Sequence, residues 1–515
     1  MKPLAEWIDL HAARRPDAAA FHADDETLTW RAYARGSDRL ARHLVDRGLE
    51  PGDRVGVLLP DGPAPHLCYV AAEKAGLVVV GIGPRAGADE AAHLLRKTGA
   101  RALLTDPTHR EIDPAALADG LRREGVPLEH LITDWRAVAE ADGDGAPPPG
   151  RRLGPQDLFL LNSTSGTTGL PKCVTHDQAR WNHFHRLAVA AADLCEDDVF
   201  LSALPTPFGF GLWTAHVTPT LLGAPCVLLP RFDAGRLLRA IERHRVSVMA
   251  AVSTQFIMLL NHPDATRADL SSLRVLFTGG EAVPYERAAE FEERTGARVL
   301  QFYGSNETGA LSGTTLRDSR DVRLRTAGRV LPEMNVRLFD DAGRDVTASG
   351  RGQPGCKGPL TSSGYHADDA ANAALYTKDG WMLTGDIATL DDDGVLRVVG
   401  RAADFIIRGG KNISGPLVEQ QVATHPDVAL AAAVAMPDPV YGERVCVYVE
   451  LRPGARLTLD ALVAHLRARD TSVEYLPERL VVVDALPRSS GGKVAKGALR
   501  QDIRRRLEAE TGAPA

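Results

Sequence analysis

The sequence predicts an α/β protein in which a large N-terminal region of two stacked α/β layers precedes a smaller α+β unit. Three observations carry this reading: the chain length, a strand–helix–strand rhythm in the first half, and a change of texture after about Gly400. At 515 residues the chain exceeds what one hydrophobic core usually supports, and about three structural units are expected. "DRVGVLLP" (53–60), an apolar helical stretch and "GLVVVGIGP" (76–84) read as strand, helix and buried strand, a βαβ unit. The rhythm returns at "DVFLSALP" (198–205) and "GAPCVLLPRF" (223–232). Strands are also predicted at "VSVMAAV" (246–252) and "LRVLFTGG" (273–280), each ending in a small-residue turn of the kind that gathers ligands at strand C-termini. "ADGDGAPPPGRRLGP" (141–155) reads as a surface connection between layers. Beyond Gly400, strands "FIIRGG" (405–410), "RVCVYVEL" (444–451) and "RLVVVDAL" (479–486) alternate with a helix at "LTLDALVAHLRAR" (457–469) and a last helix. In that helix Leu499, Ile503 and Leu507 recur every four residues and form one apolar stripe, read as core.

Composition narrows the function. With 44% hydrophobic and 25% charged residues, a net charge of -7 and no basic block, no dedicated nucleic-acid surface is expected. The cysteines at 68, 173, 195, 226, 356 and 446 lie far apart without a CxxC, which fits a reducing cytoplasm and neither a disulfide framework nor zinc. "MKPLAEWIDLHAARRPDAAAF" places Asp, Glu and Arg where a secretory peptide needs an apolar centre, and no window offers about 18 uncharged apolar residues. Cytoplasmic residence without membrane contact is the expectation.

"LNSTSGTTGLPKCVTH" (161–176) follows the apolar run "LFLLN" and so lies directly after a strand. From Ser163 through Thr164, Ser165, Gly166, Thr167 and Thr168, hydroxyls and backbone N–H groups unshielded by Cβ atoms can turn toward an anion, and Lys172 supplies the charge. At an effective dielectric near 20 an ammonium about 4 Å from a phosphate oxygen is worth roughly 4 kcal/mol. The spacing is not that of a Walker loop, because Leu170 and Pro171 separate the second glycine from the lysine. "GIGPRAG" (81–87) has the wrong spacing for a dinucleotide fingerprint and reads as a structural turn. His183 and His185 read as alternating on a strand or cap, with no acidic neighbour to make a metal site.

"STSGTTGLPK" (163–172), "GGEAVP" (279–284), "YGSNETG" (303–309), "TGDIATLDDDGVLRVVGR" (384–401) and "PRSSGGK" (487–493) resemble, in order, the signature motifs of the adenylate-forming superfamily of acyl-CoA synthetases, carrier-protein adenylation domains and luciferases. The resemblance spans nearly the whole chain. It implies αβαβα layers over residues 1–401 and a mobile lid over 402–515, with a hinge near Ala403. It also implies a two-step reaction: a carboxylate attacks the α-phosphate of ATP, and coenzyme A then captures the acyl-adenylate. The resemblance places adenine against Tyr303 and the Gly280–Glu281 turn, the ribose on Asp386, read as ending a short strand before a turn, with Arg401, and Mg²⁺ on Glu307. Asn306 falls in the nucleotide site, and Phe208, Gly279 and Gly304 border the acyl group. Lys493 would bridge the carboxylate and α-phosphate, while Arg408, Gly410 and Lys411 would meet coenzyme A. ATP, Mg²⁺ and coenzyme A are thus expected as substrates and activating ion, with no tightly bound prosthetic group. The partner is a carboxylic acid or its acyl-adenylate, and a homodimer is one assembly left open. The C-terminal tail looks closest to ligases for cyclic aliphatic or aromatic acids.

Several positions depart from the family pattern. Asn306 stands where relatives commonly carry Thr. Ala403 stands at the hinge where Asp or Lys is usual, and "GPLVE" (415–419) lacks one carboxylate. Phe208 replaces a common His, which implies a wholly apolar acyl entrance. The losses fall mostly on ATP handling, so adenylation weaker than thioester formation is one expectation. Loading of a carrier-protein phosphopantetheine and a non-catalytic nucleotide-binding role are the competing readings.

Overall fold

The structure is a computed structural model that describes all residues except 25, 111, 144, 164–170, 281–282, 402–403, 410, 489–492 and 512–515. Two sheets dominate the N-terminal region. The first runs in the order His130–Ile132, Ala102–Thr105, Arg54–Leu58, Val78–Gly81, Leu158–Ser163, Cys173–Asp177, parallel throughout except for the last pair. Its central strands are buried along their length, the pattern of a parallel sheet covered on both faces. The crossover helix Pro63–Ala75 starts with proline at its first turn and stops at Gly76, whose φ of 78° is cheap only for glycine.

The second sheet has nine strands and is parallel through its middle: Val275–Thr278, Val248–Ala250, Phe200–Ser202, Cys226–Leu228 and Ala19–Ala23. At one end the strand Arg298–Ser305 changes partners. Its first half pairs in parallel with Val275–Thr278, and from Phe302 onward it pairs antiparallel with Gly309–Gly313. A buried ion pair anchors this strand. Glu292 accepts the Val299 N–H at 2.9 Å and pairs with Arg323, and both side chains are buried. Removing either partner would strand a buried charge, a change that typically costs about 3 to 5 kcal/mol.

A third sheet, absent from the sequence reading, is antiparallel: Asn335–Phe339, Arg351–Lys357, Asp386–Leu390 and Leu396–Arg401, with Met382–Leu383 at the side. Asp386 therefore opens its strand. The C-terminal unit begins immediately beyond, with Phe405–Arg408 and Lys411–Ser414 paired to each other and Gly442–Leu451 between Phe405–Arg408 and Val428–Asp438. Arg479–Val482 adds in parallel to Gly442–Leu451. This unit has its own core of Ile406, Val418, Val445, Val447, Leu462 and Leu466. Leu499 and Ile503 are buried, and their cluster continues through Leu430 and Met436 to Ile257 and Leu260 of the N-terminal region. Polar bonds join the two units as well. Arg452 Nη1 donates to Asn261 Oδ1 at 3.1 Å, and Ser414 Oγ donates to Val399 O at 2.6 Å.

At the N-terminus the helix Leu4–Arg14 is clipped onto buried polar groups. Gln178 Oε1 accepts the Leu4 N–H at 2.8 Å, and Glu73 Oε1 accepts the Ala5 N–H at 2.9 Å. Burial pushes the Glu73 carboxyl up to about 7, against the opposing effect of the Ala5 hydrogen bond. An unfolded glutamate titrates near about 4.3, so the native state holds an extra proton between the two values and stability falls as pH rises through that window. Glu73→Gln removes this fall. In thermal unfolding, the melting temperature of the variant relative to the parent should be higher at pH 8 than at pH 5, and an equal difference at both values would contradict the assignment.

Candidate active site

The antiparallel half of Arg298–Ser305 carries Tyr303 beyond the C-terminal edge of the parallel strands, where α/β sheets open a crevice. Tyr303 Oη donates to Asp386 Oδ2 at 2.6 Å, and Arg401 Nε donates to Asp386 Oδ1 at 3.0 Å. Burial first, and the adjacent Asp386 charge second, push the Tyr303 phenol well above its usual range, so it stays a donor. Each oxygen of Asp386 accepts one protein donor and keeps a lone pair for a further one. The structure thus gathers three of the residues named from the sequence on one edge.

Next to this edge, Gly279 and Gly280 end the Val275–Thr278 strand. A Cβ on Gly279 would meet Phe302 O at 2.7 Å. Gly280 has a φ of 79°, and a Cβ there would stand 2.8 Å from Lys493 Nζ. The positive φ at 280 favours glycine, and the lysine amine of the C-terminal unit lies over it. Ser163 ends Leu158–Ser163, is buried, and its hydroxyl has no partner among the described residues. Thr164, Ser165, Gly166, Thr167, Thr168, Glu281, Ala403 and Gly410 lie outside the described residues.

Glu307 sits in the turn between Arg298–Ser305 and Gly309–Gly313. Its Oε1 accepts the Tyr365 hydroxyl at 2.7 Å, and the Tyr365 ring lies 4.8 Å from Lys172 Nζ, a cation–π contact. Burial, then Glu307, holds the Tyr365 phenol far above its normal range. Tyr365 went unnamed in the sequence reading; its only signal was its place after Gly364, whose φ is 93°. No cluster of three or more potential metal ligands exists among the described residues. A lone carboxylate with one oxygen still open fits Mg²⁺, which is held by one or two carboxylates together with substrate phosphates.

A Cβ on Gly304 would meet Gly309 O at 1.7 Å, so the two strands touch backbone to backbone. Asn306 Oδ1 accepts the Gly209 N–H at 2.9 Å, one residue past Phe208. Phe184, Phe210, Trp213, Phe277 and Phe302 form a continuous aromatic cluster beside this loop. The loop's buried side is polar. Thr206 N–H donates to Asp61 at 3.2 Å, Thr206 Oγ1 lies 3.3 Å from His66 Nε2, and His66 Nδ1 lies 3.0 Å from His216 Nδ1. The reason is topological: the loop packs on the Pro63–Ala75 helix, whose side chains sequence proximity does not reveal.

Three further expectations need correction or placement. His183 and His185 lie on the helix Gln178–Ala192, not on a strand or cap, and His183 Nε2 has an acidic partner 2.6 Å away in Glu333. Asp386 begins a strand and does not end one. Arg408 and Lys411 are not brought to the Tyr303–Asp386 edge; they pair within the C-terminal unit, with Glu478 at 3.1 Å and Glu474 at 3.3 Å.

This geometry matches known proteins over nearly the whole chain. The family model described as "AMP-binding enzyme" covers residues 8–366, and that described as "AMP-binding enzyme C-terminal domain" covers residues 417–493. A feruloyl-CoA synthase of Amycolatopsis sp is 34% identical over 502 residues, covering 97% of this chain and 98% of its own. An indoleacetate–CoA ligase of Aromatoleum aromaticum is 34% identical over 513 residues, covering 98% of each chain. The crystal structure of the anthranilate CoA ligase AuaEII in complex with anthranoyl-AMP shares the fold at a TM-score of 0.88 and 23% identity, covering 97% of each chain. With two thirds of its length inside one family model and a second covering much of the remainder, the chain belongs to the AMP-binding enzyme family.

Proposed function

We propose that this chain is an ATP-dependent acid:CoA ligase that makes an acyl-CoA thioester through an acyl-adenylate. The observation that carries the reading is the placement of Lys493 Nζ in the space above Gly280, beside the edge that holds Tyr303, Asp386 and Arg401. A carboxylate oxygen of the substrate attacks the α-phosphorus of ATP and pyrophosphate leaves. Negative charge accumulates between carboxylate and phosphate, where the ammonium of Lys493 stabilises it. Asp386, with open lone pairs on a carboxylate steadied by Tyr303 and Arg401, accepts the ribose hydroxyls, and Tyr303 flanks the adenine. Glu307, oriented by Tyr365, would hold Mg²⁺, which would supply positive charge to the phosphates, and Lys172 and the loop 163–172 bind phosphate oxygens. The thiolate of coenzyme A then attacks the acyl carbonyl and AMP leaves.

The division into 1–401 and 402–515 supplies the second step. Rotation about Ala403 withdraws Lys493 and turns Arg408, Gly410 and Lys411 toward the adenylate, so one pocket serves both reactions in sequence. The substrate is an aromatic carboxylic acid. Its support is the aromatic cluster beside Gly279 and Gly304, together with the aromatic acids named in the 34%-identical relatives. A second reading, that adenylation is weak and thioester formation strong, is favoured by Asn306: its amide oxygen is engaged by Gly209, and it has no hydroxyl to offer a phosphate.

Pyrophosphate exchange across a panel of aromatic acids, with thioester formation followed alongside, tests the main reading. Exchange with at least one acid is expected; no exchange, and no thioester from a synthetic acyl-adenylate plus coenzyme A, would refute it. Lys493→Ala should lower exchange by roughly 10²- to 10³-fold, the usual loss for one donor aimed at developing charge, while thioester formation from supplied adenylate falls far less. Equal losses in the two half-reactions would remove Lys493 from the adenylation step. Asn306→Thr should raise the exchange rate and, by releasing Gly209, also raise the KM for the acid. A slower exchange in that variant would rule out the second reading.

A further inference from the structure

Beneath the site runs a closed circuit of buried hydrogen bonds. Arg180, on the helix Gln178–Ala192, is 3% exposed. Its Nε donates to Leu360 O at 2.9 Å, its Nη2 to Asn306 O at 2.9 Å, and its Nη1 reaches His176 Nδ1 at 3.1 Å. His176, fully buried, lies with Nε2 2.9 Å from Asn162 Oδ1, and Asn162 Nδ2 donates to Pro207 O at 2.9 Å. Asn306 Oδ1 accepts the Gly209 N–H, two residues past Pro207, and the circuit closes.

The direction of every bond follows from chemistry. A guanidinium only donates, so His176 Nδ1 must accept, and the imidazole is neutral with its proton on Nε2. That proton needs an oxygen, so Asn162 turns its Oδ1 to His176 and its amide N–H to the Pro207 carbonyl, which only accepts. No group in the circuit is left with two donors or two acceptors opposed.

The charge is unusual as well. Among the described residues none forms an ion pair with Arg180; Asp177 and Glu307 are the nearest carboxylates that act on it. A buried cation is expensive unless its geometry is used, and three divergent donors in one plane are what arginine offers and lysine does not.

We infer that Arg180 is a positioning residue of the adenylation centre, fixing the Asn306–Glu307 turn against both the 205–209 loop and the strand that leads into the phosphate loop. It touches no substrate. It acts through Asn306, whose backbone carbonyl it holds and whose side chain holds Gly209, so the metal side and the acyl side of the site are tied to one guanidinium. This inference rests on the reading of the site given above.

The test uses the full chain and Arg180→Lys. Calorimetric binding of a non-hydrolysable ATP analogue is followed over a Mg²⁺ series, and the KM for the acid is taken from pyrophosphate exchange with whichever of ferulate, indoleacetate and benzoate exchanges fastest. The expected result is a rise of about fivefold or more in both the Mg²⁺ needed for half-saturation and the acid KM, with the melting temperature within about 3 °C of the parent. Retention of both within about twofold would mean that charge alone suffices and would overturn the inference. If Arg180→Lys does not fold, Asn306→Ala decides. It keeps the bond to the backbone carbonyl and removes only the Gly209 link, so the acid KM should rise while the Mg²⁺ requirement stays; a change in both, or in neither, overturns the inference. Analogue binding without any exchange in the parent would refute the ligase reading alone, because the Mg²⁺ effect is read in binding.

Discussion

The Asp386 carboxylate is the joint on which the site depends. It is 8% exposed, so its charge has to be met by donors, and it meets them from two different sheets: Tyr303 from the nine-stranded sheet and Arg401 from the neighbouring antiparallel strand. The consequence is geometric. The strand Arg298–Ser305 leaves its parallel partner after Gln301 and pairs antiparallel through Tyr303 to Ser305, and the Arg323–Glu292 pair holds the half that remains in the parallel sheet. The Tyr303–Asp386–Arg401 bonds join the two sheets at this edge.

Much of this was legible in the sequence, for a reason that also marks its limits. The buried strands around Val55, Val79, Met249 and Leu276 are short unbroken apolar runs, and parallel sheets covered on both faces force that pattern. The ordered glycine-bearing motifs located Gly279, Gly280, Tyr303 and Asp386 because those positions need a particular backbone or a particular donor. The third sheet went unread because its strands, such as "RGQPGCK" in Arg351–Lys357, carry Gly and Pro where alternation would be sought. The partners of side chains were the least visible. Glu333 lies far along the chain from His183, Gly209 from Asn306, and Tyr365 from Glu307, and nothing in local spacing joins them. Arg180 looked like one more arginine among many, since burial is decided by the packing of distant segments.

The polar groups behind the 205–209 loop show how the interior handles charge. His66, His176 and His216 are all held well below the usual imidazole range, with burial as the leading cause in each case. Uncharged rings can accept at one nitrogen and donate at the other, as a cation cannot, so His66 and His216 carry polar contacts beside the aromatic cluster without adding charge, while Arg180 holds the cation behind His176.

The Ser414–Val399 bond has a consequence of its own. It straddles residues 402–403, so a swing of the C-terminal unit about that point must sever it along with the Arg452–Asn261 contact, while the core around Ile406 and Val447 travels intact. Hydrogen bonds of this kind contribute on the order of 1 kcal/mol each. A swing of that kind would also part the apolar cluster that runs from Leu430 and Met436 to Ile257 and Leu260, so the tie between the two units is hydrophobic more than polar.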